Sequence, residues 1–560
     1  MEGKHGVRAA LRIAAAAAVL YLLLIQPNHP AAMTWGALLR FPLELPVILA
    51  GLVALPGRAG ATFAVRIALV ATLGAIAVLK LADYATFLSY SRGFNPVVDL
   101  HLLEAAWRLG SGAIGVPLAL GAAAGAVLAI LGVLAAAWWA TGVWAGLEPP
   151  RAALRWRLGL GLGAAASASV AVAEIGQARG AWSLPARVPA AAFTARVGLE
   201  RVQMIRRTTA DLRSFSEAAS SDAFAGAAGL FDLLGRRDVL FIYVESYGRA
   251  SFDVPFYAAR HSETLRAAEE RLEAAGLAMR SGWLTAPMIG GQSWLTHASV
   301  ASGLWIADQV RYRALLASPR LSLFHLAREA GFHTAAVMPA LTYDWPEGSR
   351  MGFETVLAAR DLGYAGPPFN WVTMPDQFTL AALDRLLGET TPPGAPPPEV
   401  PLFAQVALIS SHAPWTPVPE MLPWESLGDG SVFGRWDGAG DPPEVVWRNP
   451  ERVRAQYRDA VDYALEAATS YAERSAGRGP LIVLLGDHQT ADFISGSASF
   501  DVPVHVIGPP EVVARVGSWG WSAGMVPDAA LSPWRMDAFR DRFVGAFSSG
   551  AHLARSGAGG

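Results

Sequence analysis

The feature that most limits this chain is the uneven placement of its apolar residues. Before about residue 180 they form five long runs, near Val7–Gln26, Trp35–Leu55, Ala61–Ala82, Val116–Trp144 and Leu158–Ala178. Each is close to or above the roughly 20 residues that a helix needs to cross a bilayer. Five such runs in succession predict an N-terminal five-span α-helical membrane domain over residues 1–179. Composition agrees, since only 16% of the 560 residues are charged, where soluble domains average about 25%. No compact small-residue cleavage site follows the first run, so it is expected to stay as a helix rather than leave as a signal peptide.

The basic residues of the short loops predict an orientation. Lys4, Arg8 and Arg12 flank or enter the first run, Arg58 and Arg66 lie at the second loop, and Arg151, Arg155 and Arg157 fill the fourth. The first loop has no Lys or Arg, and the long third loop has only Arg92 and Arg108. That alternation expects a cytoplasmic N-terminus, and five crossings then export everything after about residue 180. The chain is thus expected to be a multi-pass protein of a bacterial inner membrane, with its C-terminal half on the periplasmic or extracellular side.

Two details bear on more than anchoring. Arg40 and Glu44 stand four apart inside the second run, which would put them on one helical face as an ion pair, or as a seat for a lipid headgroup. The third loop, Asp83 to Gly115, mixes Asp99, Glu104 and Arg108 with Leu and Trp, as an interfacial helix does. Residues 180–237 read as a partly helical charged linker, and Pro392, Pro393, Pro396, Pro397 and Pro398 as a surface loop. Residues 549–560 read as a disordered tail. A net charge of −2 and no long basic run give no argument for a nucleic-acid partner. The chain has no cysteine, which excludes disulfides, thiolate zinc sites and a cysteine nucleophile.

From Asp238 to Ser548 short apolar runs alternate with helical stretches. Asp238–Ser246, the run HTAAVMP, Leu402–Ser410, Pro480–His488 and Val502–Gly508 read as buried strands, and Leu321–Ala330 as a helix. Such alternation implies an α/β domain with a mostly parallel central sheet covered on both faces. In that architecture functional groups gather at the carboxyl ends of strands. Three strands end in candidates: Glu245, then Ser410-Ser411-His412, then Asp487-His488. Two hard carboxylates and one imidazole suit a divalent cation, Mn or Zn before Mg or Ca.

The order of strand-Glu, Gly-rich hydroxyl segment, Ser-His and Gly-Asp-His resembles the sulfatase-like branch of the alkaline phosphatase superfamily. The likeness covers about residues 238–510, and in layout it is closest to membrane-anchored lipoteichoic acid synthases and phosphoethanolamine transferases. That resemblance implies metal ligation by Glu245, Asp487 and His488, joined by the nucleophile's own oxygen. The nucleophile should lie in GGQSWLTHASVASG. Ser293 stands ten positions before Gly303, as the family's nucleophile stands before its glycine, and Thr296 is the alternative. His412 would contact the transferred group or protonate the leaving group. Gln292 and Trp345 would contact substrate, while His297 and His505 read as structural.

Departures narrow the chemistry. Formylglycine sulfatases need Pro and Arg two and four positions after the modified residue, and here Leu295 and His297 stand there. Where lipoteichoic acid synthases hold glycerol phosphate with His and Arg, this chain has Met338 or Pro339 and then Glu347. The expected function is transfer of a phospho-headgroup from a phospholipid-like donor to an envelope glycan or lipid through a seryl intermediate. Alternatives are a phosphodiesterase, phosphatase or sulfuric ester hydrolase of the same superfamily, and a non-catalytic envelope protein that binds a ligand.

Overall fold

The computed structural model describes residues 2–55, 60–90, 92–147, 154–183, 190–388 and 400–550. Arg58 and Arg151, the proline cluster from Pro392 to Pro398, and the tail from residue 551 onward lie outside the described residues. The chain forms two compact units, Met1–Asp211 and Leu212–Gly560.

In the first unit, four helices among the described residues are long and apolar enough to cross a membrane: Gly6–Ile25, Gly60–Leu88, Val116–Ala145 and Leu158–Ala178. Leu11, Phe63, Leu128, Leu131, Leu162 and Val172 on these helices are exposed, which is the surface a lipid environment would cover. The second apolar run is not the continuous helix expected of it. A short helix Trp35–Leu38 ends before Arg40, Phe41–Pro42 pairs in parallel with Ala190–Ala191, and a helix resumes only over Glu44–Ala54. Pro42 is the physical reason, because its ring disfavours helical backbone at Phe41 and removes an N–H. The 11 residues of Glu44–Ala54 rise only about 16 Å, roughly half of a hydrocarbon core. Arg40 and Glu44 therefore do not share a helical face. Glu44 instead accepts a hydrogen bond from the Ala195 amide at 2.8 Å. The third loop does contain a helix, Leu102–Ile114, with an exposed Glu104–Arg108 pair of 2.6 Å along it.

The second unit is built on a nine-stranded sheet. Its strands are β1 (Val239–Val244), β2 (Ala278–Thr285), β3 (His333–Met338), β4 (Thr355–Ala358), β5 (Leu402–Ala407), β6 (Leu481–Gly486), β7 (Asp501–Gly508), β8 (Ser522–Ala523) and β9 (Trp534–Arg535). Their order is β8-β2-β7-β6-β1-β5-β3-β4, with β9 also paired to β2. Every residue of β1 is buried, as a strand covered on both faces requires. Val239, Phe241 and Tyr243 face a layer that holds Leu295, Ala298, Phe324, Phe539 and Phe543. Leu240, Ile242 and Val244 face the other layer, with Leu265, Leu272, Tyr457, Val461 and Leu465. The helices Ser293–Ser302 and Phe539–Phe547 thus cover one face, and Pro255–Ala274 and Pro450–Ser475 the other.

The sheet is mixed, with five of its eight strand pairs parallel and three antiparallel. The run β6-β1-β5-β3-β4 is parallel, whereas β7 runs antiparallel to both β6 and β2, and β8 is antiparallel to β2. Between β6 and β7 the only helix is the single turn Asp492–Ser495, too little for the crossover that a parallel neighbour needs. The parallel half brings the carboxyl ends of β1, β5 and β6 to one edge.

Candidate active site

Parallel pairing sets Val244 of β1 opposite Gly486 of β6, so the next residues, Glu245 and Asp487, leave the sheet side by side. The Ser246 amide donates to Asp487 Oδ1 at 2.8 Å, and the His488 amide donates to the same oxygen at 2.6 Å. The imidazole of His488 turns back so that Nε2 lies 3.3 Å from Glu245 Oε1 and 3.7 Å from Asp487 Oδ2. One ligand atom from each of the three residues lies within 4.8 Å of the others, and all three residues are buried.

Ser293 is delivered from the opposite side by the segment after β2. The Gly290 amide donates to the Gln489 carbonyl at 2.8 Å, which ties this segment to the end of β6. Gly290, Gly291 and Gln292 then take φ values of 74°, 138° and 65°, and this left-handed turn starts the helix Ser293–Ser302. Gln292 occupies the capping position without a side-chain cap, so Ser293 is the first helical residue. Its hydroxyl is free for other work. Ser293 Oγ donates to Glu245 Oε2 at 3.0 Å and lies 3.2 Å from His488 Nε2. Thr296, one turn further, is fully buried, and its Oγ1 has no hydrogen-bond partner. The geometry brings Ser293, not Thr296, to the carboxylate and imidazole.

The charges show what such a cluster lacks. Burial alone would raise the Glu245 carboxyl, but the charge of His488 and then of His412 holds it far below the usual range. Burial and the Glu245 charge push Asp487 up to about 8. Burial opposes the charge on His488, yet Asp487 and Glu245 raise it to about 9. In a cluster packed this closely the ionised Glu245 presses Asp487 to keep its proton, a strain that further positive charge would relieve. A divalent cation would supply it, and two carboxylate oxygens, an imidazole nitrogen and a serine oxygen form a fitting donor set.

The Ser410-Ser411-His412 segment joins the same edge from β5. Ser411 Oγ donates to the Glu245 carbonyl at 2.7 Å. His412 is half-buried, with Nδ1 2.6 Å from the Ala413 carbonyl oxygen. Its ring is not stacked on Trp415, which packs face to face on Trp447 at 5.6 Å and donates from its indole to the Ser411 carbonyl. The sequence reading missed Asp376. Its Oδ1 accepts from the amides of Ile409 and Ser410 at 2.7 and 2.9 Å, and so fixes the chain just ahead of His412. An Asp directly after Pro375 at the start of an apolar helix marks a helix N-terminus, but nothing in the sequence ties it to β5.

Among the other candidates, Gln292 is half-buried, with no side-chain hydrogen bond among the described residues. Trp345 packs on Phe353 in the wall of a cavity that also touches Trp294 and His297. His297 is buried against Tyr243 at 4.0 Å between ring centroids, and burial pushes it down to about 3. His505 lies inside β7 between Ser281 Oγ at 2.7 Å and Tyr247 Oη at 3.2 Å.

No family model matches the chain, and no curated protein matches it. Among solved structures the chain is similar to the lipoteichoic acid synthase LtaP from Listeria monocytogenes, at 13% identity and a TM-score of 0.35, over 53% of this chain and 70% of that one. It is also similar to a protein in the alkaline phosphatase superfamily from Vibrio parahaemolyticus, at 16% identity and a TM-score of 0.34, over 49% and 60% of the two chains. The C-terminal periplasmic domain of EcEptC from Escherichia coli matches at 12% identity and a TM-score of 0.36, over 56% and 82%.

Proposed function

We propose that this chain is a membrane-anchored, metal-dependent phosphotransferase of the sulfatase-like type. It moves a phospho-headgroup from a phospholipid-like donor to an envelope glycan or lipid, with Ser293 as nucleophile. The observation that carries this reading is the position of Ser293 Oγ, within hydrogen-bond reach of Glu245 and His488 at the mouth of a three-residue cation group. The ligands would be Glu245, Asp487, His488 and the Ser293 oxygen. When bound, a divalent cation such as Mn or Zn supplies positive charge that favours an ionised serine and offsets the charge developing on the ester oxygens.

The residues divide the work in two displacements. Glu245 Oε2 accepts the Ser293 hydrogen bond and so orients the hydroxyl, whose proton would pass to solvent as the bound cation favours the ionised oxygen that attacks phosphorus. The Ser293 Oγ–P bond forms and the P–O bond to the donor's glycerol breaks, and His412 would protonate that leaving oxygen. In the second step an acceptor hydroxyl gives its proton to His412 and bonds to phosphorus, and Ser293 Oγ leaves and recovers a proton. Water in place of the acceptor would make the same site a phosphodiesterase. Leu295 and His297, buried at the positions that formylglycine formation reserves for Pro and Arg, favour phosphoryl over sulfuryl chemistry.

This reading places the protein in an inner membrane with Leu212–Gly560 on the periplasmic side. The test is direct. The full chain, purified in detergent, is analysed for bound metal and assayed on generic phosphodiesters, phosphomonoesters and sulfate esters. Stoichiometric transition metal with turnover of phosphodiesters supports the proposal. Turnover of sulfate esters alone, or a folded protein with neither metal nor turnover, contradicts it.

A further inference from the structure

We propose that the cavity beside Ser293 is a headgroup pocket for a quaternary ammonium, so that the preferred donor is a choline-type phosphodiester. The inference rests on the phosphotransfer reading and names its substrate class. The cavity, of about 310 Å³, is lined by Trp294, the residue after Ser293, and by His297, one turn further along the same helix, and its other aromatic walls are Tyr312, Trp345 and Phe353. The indole of Trp294 is held by a 2.9 Å hydrogen bond to Gln309, and Trp345 is braced on Phe353. Aromatic faces carry negative potential and attract cations, most strongly where water is excluded.

The polar groups point the same way. Glu347 is the one carboxylate lining the cavity, and among the described residues no Arg, Lys or His forms an ion pair with it. No Arg or Lys lines the cavity, so a second phosphate or a sulfate would meet no cation there. His297, kept neutral by burial, adds no positive charge. A primary ammonium has three N–H groups to satisfy, and beyond Glu347 the unpartnered buried polar atoms of the lining are Tyr312 Oη and His297 Nε2. The Gln405 amide already faces His297 Nδ1 and Met338 S at 3.5 Å each, and Met338, Leu341 and Met351 complete an apolar lining. A quaternary ammonium has no N–H to leave unpaired. Its charge can meet Glu347 while its methyl groups meet the rings.

The experiment compares three p-nitrophenyl phosphodiesters on the full-length protein in detergent with Mn²⁺. One carries choline, one its uncharged isostere 3,3-dimethylbutanol, and one ethanolamine. The choline ester should have a kcat/KM roughly tenfold or more above the isostere, mainly through KM, and should exceed the ethanolamine ester. Glu347→Gln should lower the choline-to-isostere ratio several-fold, with the aromatic faces keeping it above one. Equal rates for choline and isostere, a ratio that Glu347→Gln leaves unchanged, or preference for ethanolamine would overturn the pocket's assignment while leaving phosphotransfer standing. Equilibrium dialysis with labelled phosphocholine separates the two claims. Saturable binding that Glu347→Gln weakens several-fold, without turnover of any ester, supports the pocket and overturns the phosphotransfer reading. No saturable binding by the wild-type protein overturns the pocket.

Discussion

The carbonyl oxygen of Tyr247 lies 1.8 Å from the point where a Cβ on Gly486 would stand. No side chain fits between the end of β6 and the loop that follows β1. The contact is reciprocated, since a Cβ on Gly248 would lie 2.2 Å from Gln489 Oε1 and 2.8 Å from its Cα. The two strand-end loops therefore interlock backbone to backbone, and this holds Glu245 against Asp487 and His488. The glycine of Gly-Asp-His is explained by that approach, not by an unusual φ.

Gly486→Ala should accordingly cost about 2–4 kcal/mol, because the clash is with backbone and cannot be relieved by a rotamer change. Gly545→Ala, in the helix Phe539–Phe547 where a Cβ meets nothing within 4 Å, should be neutral or stabilising by up to about 1 kcal/mol. Thermal unfolding of the two variants checks this. Equal midpoints for both would show that the loops are not interlocked.

The cation group sets a second expectation. If Asp487 and His488 hold the cation as proposed, Asp487→Ala and His488→Ala should each lower activity by a factor of at least about 10² with loss of bound metal. The folded, metal-free protein holds Asp487 up at about 8 and His488 up at about 9, both above their unfolded values of roughly 3.9 and 6.5. For both groups the stabilising contribution is complete below the unfolded value and is lost as pH rises through the folded one. Glu245 is shifted the other way, so its contribution is present above roughly pH 4.3 and is lost on acidification. In chelator the thermal midpoint should fall between pH 7 and 9, and saturating Mn²⁺ should offset that fall, because Asp487 and His488 bind a cation deprotonated. Calorimetry at pH 7 in two buffers of different ionisation enthalpy should show about two protons released per cation bound. Binding without proton release would contradict that protonation.

Asp376 gives a third. It touches neither Glu245 nor Ser293, and it acts through the Ile409 and Ser410 amides. Asp376→Ala should leave those buried donors unpaired, at a cost of about 1–3 kcal/mol in stability. It should also lower kcat more than it raises KM, because His412 loses its positioning. Asp376→Asn retains an acceptor oxygen and should recover most of both. Equal losses for Ala and Asn would show that charge, not the hydrogen bonds, is what Asp376 supplies.

Much of this arrangement is legible in the sequence, and the gaps have physical causes. Strands β1, β3, β5, β6 and β7 announce themselves as short, mainly apolar runs, and β1 and β6 end directly in the polar residues Glu245 and Asp487. β2 does not, because Arg280, Ser281 and Gly282 interrupt its apolar pattern while its partners are set by β7 and β8, distant in sequence. The antiparallel part of the sheet was hidden for the same reason, since direction depends on connections and not on composition. Among the site residues, Glu245 and Asp487-His488 stand at strand ends and can be seen. Asp376 cannot, because its role depends on a tertiary contact. The membrane half shows the opposite fault, in which Trp35–Leu55 has the composition of a span but Pro42 breaks its backbone.

That break makes the orientation testable. A cytoplasmic N-terminus with Leu212–Gly560 exported, as proposed, requires an odd number of crossings, and Trp35–Ala54 would then cross as an interrupted segment. A reporter active only outside the cytoplasm should work when fused after Pro185 and stay silent when fused at Gly60. Activity at Gly60 with silence after Pro185 would mean either that the orientation is inverted or that Trp35–Ala54 does not cross, and both defeat the five-crossing arrangement.

The central claim is that Ser293 carries the transferred group. Ser293→Ala should abolish turnover, and Ser293→Thr should keep part of it, because the attacking oxygen survives. The most direct measurement is mass spectrometry of the peptide spanning Ser293 after the full-length protein is incubated with a phosphodiester donor and no acceptor. The account predicts a phosphoryl-containing adduct on Ser293 that disappears when acceptor is added. A formylglycine aldehyde at Ser293, or an adduct on Thr296 with Ser293 unmodified, would contradict it.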